Sequence, residues 1–162
     1  MSAVAEHLRG RGIAFEEIPH AKVYTSIAEA QALGIAADEV LKGIVVKTAA
    51  GYALAAIPGA RRLDMGLVRH AVEDHHARLA TEEELEREFP AYELGALPPV
   101  GSILGLPAYV DPEVLEHETV VFAAGTQTES VKVRTAELFR DEPISVVPLT
   151  RRPEEADRES RR

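Results

Sequence analysis

The sequence predicts a single α+β or mixed α/β domain, with antiparallel strands at its centre and helices around them. Two apolar runs, at residues 40–48 and 52–57, flank a glycine turn at residues 49–51. They pair most simply as a hairpin in the middle of a sheet. Several short segments begin at capping residues and carry apolar residues three or four apart, which is typical of surface helices. A chain of 162 residues, 46% of them apolar, is long enough to bury one hydrophobic core.

Capping residues predict where the helices begin and end. Ser26 is a candidate N-cap with Glu29 at the position of its capping-box partner, and Gly34 ends this helix. Thr81 and Glu84 form the same capping pattern. The other predicted helical segments are residues 2–10, a helix that starts at Asp64, a turn that starts at Asp111-Pro112 and a helix that starts at Thr135.

Further strands are predicted where β-branched and aromatic residues form short runs between Gly and Pro turns. These runs are residues 13–18, 108–110, 119–123, 130–133 and 144–149.

Composition excludes several classes of protein. A net charge of -9 argues against a protein that coats nucleic acid, because such binding needs many Lys and Arg contacts to phosphates. Cysteine is absent, which excludes disulfides and thiolate chemistry. No apolar run approaches the roughly 18 residues that span a bilayer, and no signal-peptide core precedes the first helix. We therefore expect a cytoplasmic protein that does not enter membranes.

The predicted domain covers residues 1–150, and a charged tail covers residues 151–162. The tail contains five Arg and four Asp or Glu residues without apolar periodicity, so it is predicted to be disordered.

Lys42 precedes the β-branched run Ile44-Val45-Val46. Because side chains alternate along a strand, Lys42 and Ile44 share one face, with an ammonium at the end of an apolar surface. Such a cation can meet an anionic or polar ligand group with little competition from water. The alternative is a surface lysine whose head lies in solvent.

Residues 95–105 are rich in Gly and Pro yet mostly apolar. A solvated linker would be polar, so this loop is predicted to pack on the sheet with its backbone facing a cleft. Backbone N–H groups in such a loop, or at a second glycine turn around Gly125, can hold a carbonyl oxygen or its oxyanion. The alternative is a purely structural connection.

Other catalytic patterns are weak. His70, His75 and His76 match no zinc-binding spacing and are interpreted as surface histidines at a helix end. Ser102 lies between glycines without forming Gly-x-Ser-x-Gly, and no phosphate-binding glycine motif occurs. No metal or cofactor is therefore expected.

Five short motifs occur in an order that resembles the YbaK/ProX family of aminoacyl-tRNA editing deacylases. In chain order they are residues 40–47, 55–64, 79–85, the Gly95-x-x-x-Pro99-x-Gly101 loop and residues 121–126. With the strand and helix that follow them, the resemblance covers about residues 20–147. Members of this family act alone or as insertions in prolyl-tRNA synthetase.

The resemblance implies a central, largely antiparallel sheet that forms a curved, barrel-like core. It also implies hydrolysis, by water and without a metal, of the ester that links a mischarged amino acid to the 3′ end of tRNA. The terminal ribose hydroxyl of the tRNA is expected to assist the water. The implied partners are the aminoacyl-tRNA 3′ end and a prolyl- or other aminoacyl-tRNA synthetase.

The resemblance also assigns roles to residues. Lys42 matches the family's essential lysine, and Gly101 matches the loop glycine whose N–H helps to hold the scissile carbonyl. Ile57 and Ile103 are further candidates for the lining of the side-chain pocket. The residues expected to bind substrate are Tyr24, Thr25, Gly95, Pro99, Ser102, Gly125, Thr126 and Ser130.

The chain also departs from some family members. Some carry His where Gly101 stands, so this chain belongs with the glycine type. Others carry Gly and Asp where Thr128 and Ser130 fall. With the acidic net charge, these differences leave a second hypothesis, an inactive module of the same fold that binds a nucleotide, an amino acid or a synthetase.

Overall fold

The computed structural model describes residues 2–151, in which helices pack around two β-sheets. The strands are β1 (Phe15–Pro19), β2 (Leu41–Thr48), β3 (Gly51–Pro58), β4 (Arg78–Leu79), β5 (Ala108–Val110), β6 (Thr119–Ala123), β7 (Glu129–Arg134) and β8 (Ile144–Val146). The helices are α1 (Ala3–Gly10), α2 (Ser26–Leu33), α3 (Met65–Ala71), α4 (Glu82–Glu88), α5 (Gly101–Leu104) and α6 (Thr135–Phe139), with 3-10 turns at Ala37–Glu39 and Pro112–Glu116.

The larger sheet has the strand order β4-β2-β3-β5-β8, and the smaller has the order β1-β7-β6. β2 and β3 pair in antiparallel fashion from Leu41↔Pro58 to Thr48↔Gly51, which confirms the predicted central hairpin. β5 pairs in parallel with both β3 and β8, whereas every pair in the smaller sheet is antiparallel. The predicted mixed α/β class is therefore confirmed.

The strands do not form the single barrel-like sheet that the resemblance implied. Between residues 2 and 151 the only β-bridge that joins the two sheets is a parallel one from Val40 to Val121. One edge of β2 pairs with β3 and the other edge pairs with β4. No edge of β2 is therefore free to pair with β6, and the bridge to β6 is made by Val40, just before β2. The barrel consequently stays open.

Two groups of buried side chains cover the two faces of the β2–β3 hairpin. On one face, α1 and the smaller sheet pack against the hairpin through Val4, Leu8 and Phe122, each less than 2% exposed. On the other face, Val68 from α3 and Leu149 pack against β2 and β3. Because both of its faces are covered, β3 is apolar on both sides from Ala53 to Ile57, as its sequence predicts.

The caps of three helices can be compared with their predictions. Asp64 accepts a hydrogen bond from the Leu67 N–H, and Thr81 and Glu84 form a complete capping box, as predicted. For α2 the predicted cap is wrong by one residue. Thr25 has an extended backbone and its hydroxyl accepts from the Ala28 N–H, so Ser26 is already helical.

Three further segments differ from their predictions. The two-residue strand β4 and the short helix α5 were not predicted, because neither is long enough to show a period. The last strand ends at Val146 and not at residue 149. Leu149 and Thr150 instead donate their backbone N–H groups to the Asp111 carboxylate, at 2.9 and 3.1 Å, so they are unavailable to the sheet.

Two further predictions concern the charged tail and the absence of membrane segments. Residues 152–162 lie outside the described residues. Within residues 2–151 no helix is long and apolar enough to cross a membrane.

Asp111 is a buried carboxylate that connects the end of β5 to the last described residues. Its Oδ1 accepts from the Glu113 N–H at 2.9 Å, while its Oδ2 accepts from two backbone N–H groups and from the Thr150 hydroxyl. A buried carboxylate is stable only where hydrogen bonds replace its hydration, and four donors do so here.

We predict that Asp111→Ala lowers the free energy of unfolding by about 2–4 kcal/mol, because it leaves several buried donors without an acceptor. Urea denaturation measures the effect. Asp141→Ala is the control, since the Asp141 side chain is 71% exposed, and it should change stability by less than about 0.5 kcal/mol. Equal effects of the two substitutions would contradict this role of Asp111.

Candidate functional site

A cavity of about 510 Å³ opens beside the start of β2 and the end of β3. Its walls come from six separate parts of the chain that meet only in the folded protein. The described lining residues are Tyr24, Thr25, Ser26, Ile27, Glu29, Leu41, Lys42, Gly43, Ile44, Val45, Gly59, Ala60, Arg61, Arg62, Leu79, Ala80, Leu85, Gly95, Leu97 and Ala123. The walls are mostly apolar with a few charged groups, as is usual for small-molecule sites.

Lys42 lies half-buried in the wall of this cavity, next to the apolar Ile44. Its ammonium donates one hydrogen bond, to the Arg61 carbonyl oxygen at 3.1 Å. A lysine ammonium has three donors, and the other two bond to none of residues 2–151. Burial lowers the pKa of Lys42 from its usual value, and the charge of Arg62 adds to this effect.

The two arginines next to Lys42 have different surroundings. Arg61 forms a two-point ion pair with Glu113, with N–O distances of 3.0 and 2.8 Å. This pair neutralises Arg61 and holds the carbonyl oxygen that accepts from Lys42. Arg62 is exposed at the edge of the cavity, so its positive charge adds to that of Lys42.

Glu29 brings a negative charge to the same cavity. Its side chain is 5% exposed, and one carboxylate oxygen, Oε2, accepts a short hydrogen bond from the Ser130 hydroxyl. His20 Nε2 lies 2.8 Å from the same hydroxyl. Burial raises the pKa of Glu29, although the Ser130 hydrogen bond and the charge of His20 oppose this change.

The glycine loop contacts the hairpin through two glycines. A Cβ placed on Gly43 would lie 2.9 Å from both Cα and Cβ of Pro99, so Pro99 packs directly on the β2 backbone. Gly95 has a positive φ of 77° and packs on the Tyr24 carbonyl oxygen, where any Cβ would collide. The loop predicted to pack on the sheet does so.

Two backbone amides of this loop are available to a ligand. Gly95 and Leu97 line the cavity, and neither N–H donates a hydrogen bond to another residue within the described part of the chain. Amides without a protein acceptor can donate to a bound carbonyl oxygen.

Gly101 and Ser102 do not join Lys42 in the cavity. Gly101 begins α5 and faces the Leu106 carbonyl oxygen and the Ala108 side chain, beside a separate shallow hollow. The Ser102 hydroxyl donates to Glu142 at 2.7 Å on that side of the molecule. Neither residue lines the cavity that contains Lys42, and the oxyanion role expected for Gly101 stays a prediction.

The other expected binding residues divide between the cavity and its supports. Tyr24, Thr25 and Gly95 line the cavity, whereas Pro99 and Ser130 hold residues that do. Gly125 packs on the Tyr92 ring, and Thr126 contacts Thr128, in both cases outside the cavity. Ile57 and Ile103 pack in the hydrophobic core, so their expected place in the lining is wrong.

The predicted surface histidines, His70, His75 and His76, are all exposed. Among the residues described, no group of three or more His, Cys, Asp or Glu side chains could hold a metal ion.

Sequence reasoning missed Glu29 as a cavity residue. Its position in the first turn of α2 suggested a capping role, but Thr25 caps the helix alone and frees the Glu29 carboxylate. The only sequence signal available was an acidic residue followed by an apolar turn, which most surface helices share.

We predict that Gly43→Ala lowers the free energy of unfolding by about 1–3 kcal/mol, because the new methyl group overlaps Pro99 and the contact must open. Thermal or urea unfolding measures this change. Gly10→Ala is the matched control, since a Cβ there would meet no atom within 4 Å, and its stability should be unchanged or raised. An unaffected Gly43→Ala protein would show that the loop does not pack tightly on β2.

Comparison with known proteins supports the mixed α/β fold. No curated protein sequence matches the chain. A proposed trans-editing enzyme for prolyl-tRNA synthetase aligns with a TM-score of 0.77 and 29% identity, over 94% of this chain and 99% of that one. A structure used in epitope grafting by computational design aligns with a TM-score of 0.77 and 26% identity, over 92% and 95% of the two chains.

The hypothetical protein APE2540 shares the fold, with a TM-score of 0.79 and 24% identity over 89% of this chain and 97% of that one. The family model described as aminoacyl-tRNA editing domain matches residues 20–140. This match covers the hairpin, the cavity and the glycine loop, and it confirms the resemblance to the YbaK family. The chain therefore belongs to the aminoacyl-tRNA editing domain family.

Proposed function

We propose that this protein is an aminoacyl-tRNA deacylase that acts in trans, on aminoacyl-tRNA released by a synthetase. The observation that carries the proposal is a half-buried lysine ammonium with two unused donors, in a largely apolar cavity of a chain that belongs to an editing family. The substrate is the 3′-aminoacyl-adenosine end of a mischarged tRNA.

Lys42 binds and orients the ester end of this substrate. Its free N–H donors reach a phosphate or ribose oxygen of the terminal nucleotide, while the Arg61 carbonyl oxygen fixes the ammonium in place. Apolar walls strengthen this charge interaction by limiting competition from water. Arg62, at the edge of the cavity, supplies a second cation for the phosphates of the incoming strand.

The Gly95 and Leu97 amides are placed to hold the carbonyl oxygen of the ester. Water attacks the carbonyl carbon, the bond from that carbon to the ribose oxygen breaks, and a proton from the water passes to the ribose oxygen. The products are a free amino acid and a tRNA with an intact terminal ribose. Donors aimed at the developing oxyanion stabilise the transition state, and removing one typically costs about 10²–10³ in rate.

The mouth of the cavity carries exposed aromatic and aliphatic side chains that can bind a nucleotide base. Tyr24, Ile27 and Leu79 line it and are each at least half exposed. A flat aromatic ring and aliphatic groups at an opening can stack with the terminal adenine. One stacked base and two nearby cations allow an acidic protein to bind a single RNA end.

A synthetase partner is part of the same proposal. A structural neighbour is described as a proposed trans-editing enzyme for prolyl-tRNA synthetase, and 29% identity over nearly the whole chain supports a related role here. Hydrolysis of the product of such a synthetase provides a second selection step, because binding alone separates amino acids that differ by one methylene by only about 10–200-fold.

We predict that Lys42→Ala reduces single-turnover deacylation by about 10²–10³-fold while leaving the folded structure intact, because it removes the charge that orients the ester. Alanyl-, cysteinyl-, seryl- and threonyl-tRNA form the substrate panel. Lys47→Ala is the matched control, since Lys47 lies on the same strand but contacts the Tyr52 ring outside the cavity, and it should retain activity.

Three results would decide the matter. Loss of activity in Lys42→Ala alone supports the proposed function. Full activity of Lys42→Ala on every susceptible tRNA contradicts the role of Lys42. No hydrolysis of any aminoacyl-tRNA by the wild-type protein, together with thermal stabilisation by a nucleotide or amino acid, supports the inactive binding module instead.

A further inference from the structure

Glu29 is a buried carboxylate with one oxygen that no protein group satisfies. The side chain is 95% buried, since 5% is exposed, and it lines the same cavity as Lys42. Oε2 accepts from Ser130, but Oε1 accepts no hydrogen bond from any described residue and is not fully enclosed by protein atoms. A buried carboxylate in this state is costly unless a cation or donor reaches it.

The charges of the cavity are arranged for a ligand with two different ends. Lys42 and Arg62 make one part of the wall positive, whereas Glu29 makes the other part negative. Many of the other lining side chains are apolar, including Leu41 and Ile44. A ligand that fits has an electron-rich oxygen group and, a short apolar distance away, an ammonium.

We propose that Glu29 binds the α-ammonium group of the aminoacyl ester, an inference that rests on the proposed function. Every aminoacyl-tRNA carries this ammonium, next to the carbonyl carbon that water attacks. Glu29 therefore selects the chemical class of substrate: esters with a free α-amine are accepted, and N-acylated esters, such as peptidyl-tRNA, are rejected. Rejection follows because an amide nitrogen carries no positive charge to pair with the buried carboxylate.

Ser130 and His20 act as positioning residues for this carboxylate. The Ala21 carbonyl oxygen lies 2.8 Å from His20 Nδ1, and the Ser130 hydroxyl lies 2.8 Å from His20 Nε2. The hydroxyl in turn holds Oε2 of Glu29. This array fixes the rotamer of Glu29 and leaves Oε1 as the oxygen that meets the ligand.

The chemistry of a buried carboxylate agrees with this role. Burial raises the pKa of Glu29, so the empty cavity favours the neutral acid more than water does. An ammonium within hydrogen-bond distance favours the ionised form and removes that penalty.

The first experiment measures binding without hydrolysis. The probe is 3′-(alanylamino)-3′-deoxyadenosine, in which a stable amide replaces the ester, and its N-acetyl derivative is the comparison. We expect the wild-type protein to bind the free-amine probe about 10- to 100-fold more tightly, the effect of one charge-assisted hydrogen bond. Glu29→Gln should abolish this preference, because it weakens the binding of the free-amine probe and leaves the binding of the N-acetyl derivative unchanged.

A control variant and a variant of the positioning residue Ser130 are measured in the same binding experiment. Glu83 lies on the exposed side of α4, so the Glu83→Gln variant should bind both probes as tightly as the wild-type protein does. Ser130→Ala should reduce the preference for the free amine without removing it, because Oε1 remains but is less well held. Thermal unfolding of each variant shows that it is folded.

The second experiment measures single-turnover hydrolysis of alanyl-tRNA and N-acetyl-alanyl-tRNA. Preference for the free amine in the wild type, lost in Glu29→Gln, supports the inference. Equal binding of the two probes by the wild type, or an equal loss of both in Glu29→Gln, overturns it. If the wild-type protein hydrolyses neither tRNA but still prefers the free-amine probe, the proposed function is rejected and the binding of the amine by Glu29 stands.

Discussion

A chain of polar contacts from Lys42 to Asp111 is the constraint on which the site depends. The Lys42 ammonium donates to the Arg61 carbonyl oxygen, the Arg61 side chain pairs with Glu113, and the Glu113 N–H donates to Asp111. Asp111 also accepts from Thr150, close to the end of the described chain. A half-buried cation is stable only if its neighbours are fixed, and these contacts fix them by linking three parts of the chain.

The cavity uses this fixed cation in an apolar setting. Lys42 lies beside Ile44, and Glu29 supplies an opposite charge that Ser130 holds in place. Charges in such a setting act strongly on a ligand because little water screens them. Burying these charges costs free energy, because burial disfavours the charged form of each group. It therefore lowers the pKa of Lys42 and raises the pKa of Glu29. Perturbed titratable groups of opposite sign within one cavity are a common property of binding and catalytic sites.

Close backbone contact explains why glycine is required where the loop meets the sheet. Gly43 lets Pro99 lie directly on β2, and Gly95 lets the loop pass next to the Tyr24 carbonyl oxygen. These two contacts bring the Gly95 and Leu97 amides to the cavity wall. Within the loop that the sequence singled out, Gly95 and Leu97 are the residues that line the cavity with Lys42. Gly101 is the first residue of α5 and lines a separate hollow.

Local patterns in the sequence determined the hairpin, most helix caps and the place of Lys42 on an apolar strand face. Each depends on residues within about ten positions of one another, where propensity and side-chain alternation act directly. Tertiary structure alone decided that the strands divide into two sheets, which loop residues line the cavity with Lys42 and that Glu29 pairs with Ser130. The Glu29–Ser130 hydrogen bond joins residues 101 positions apart. No local period encodes such a contact, because it exists only when packing of the whole chain brings the two segments together.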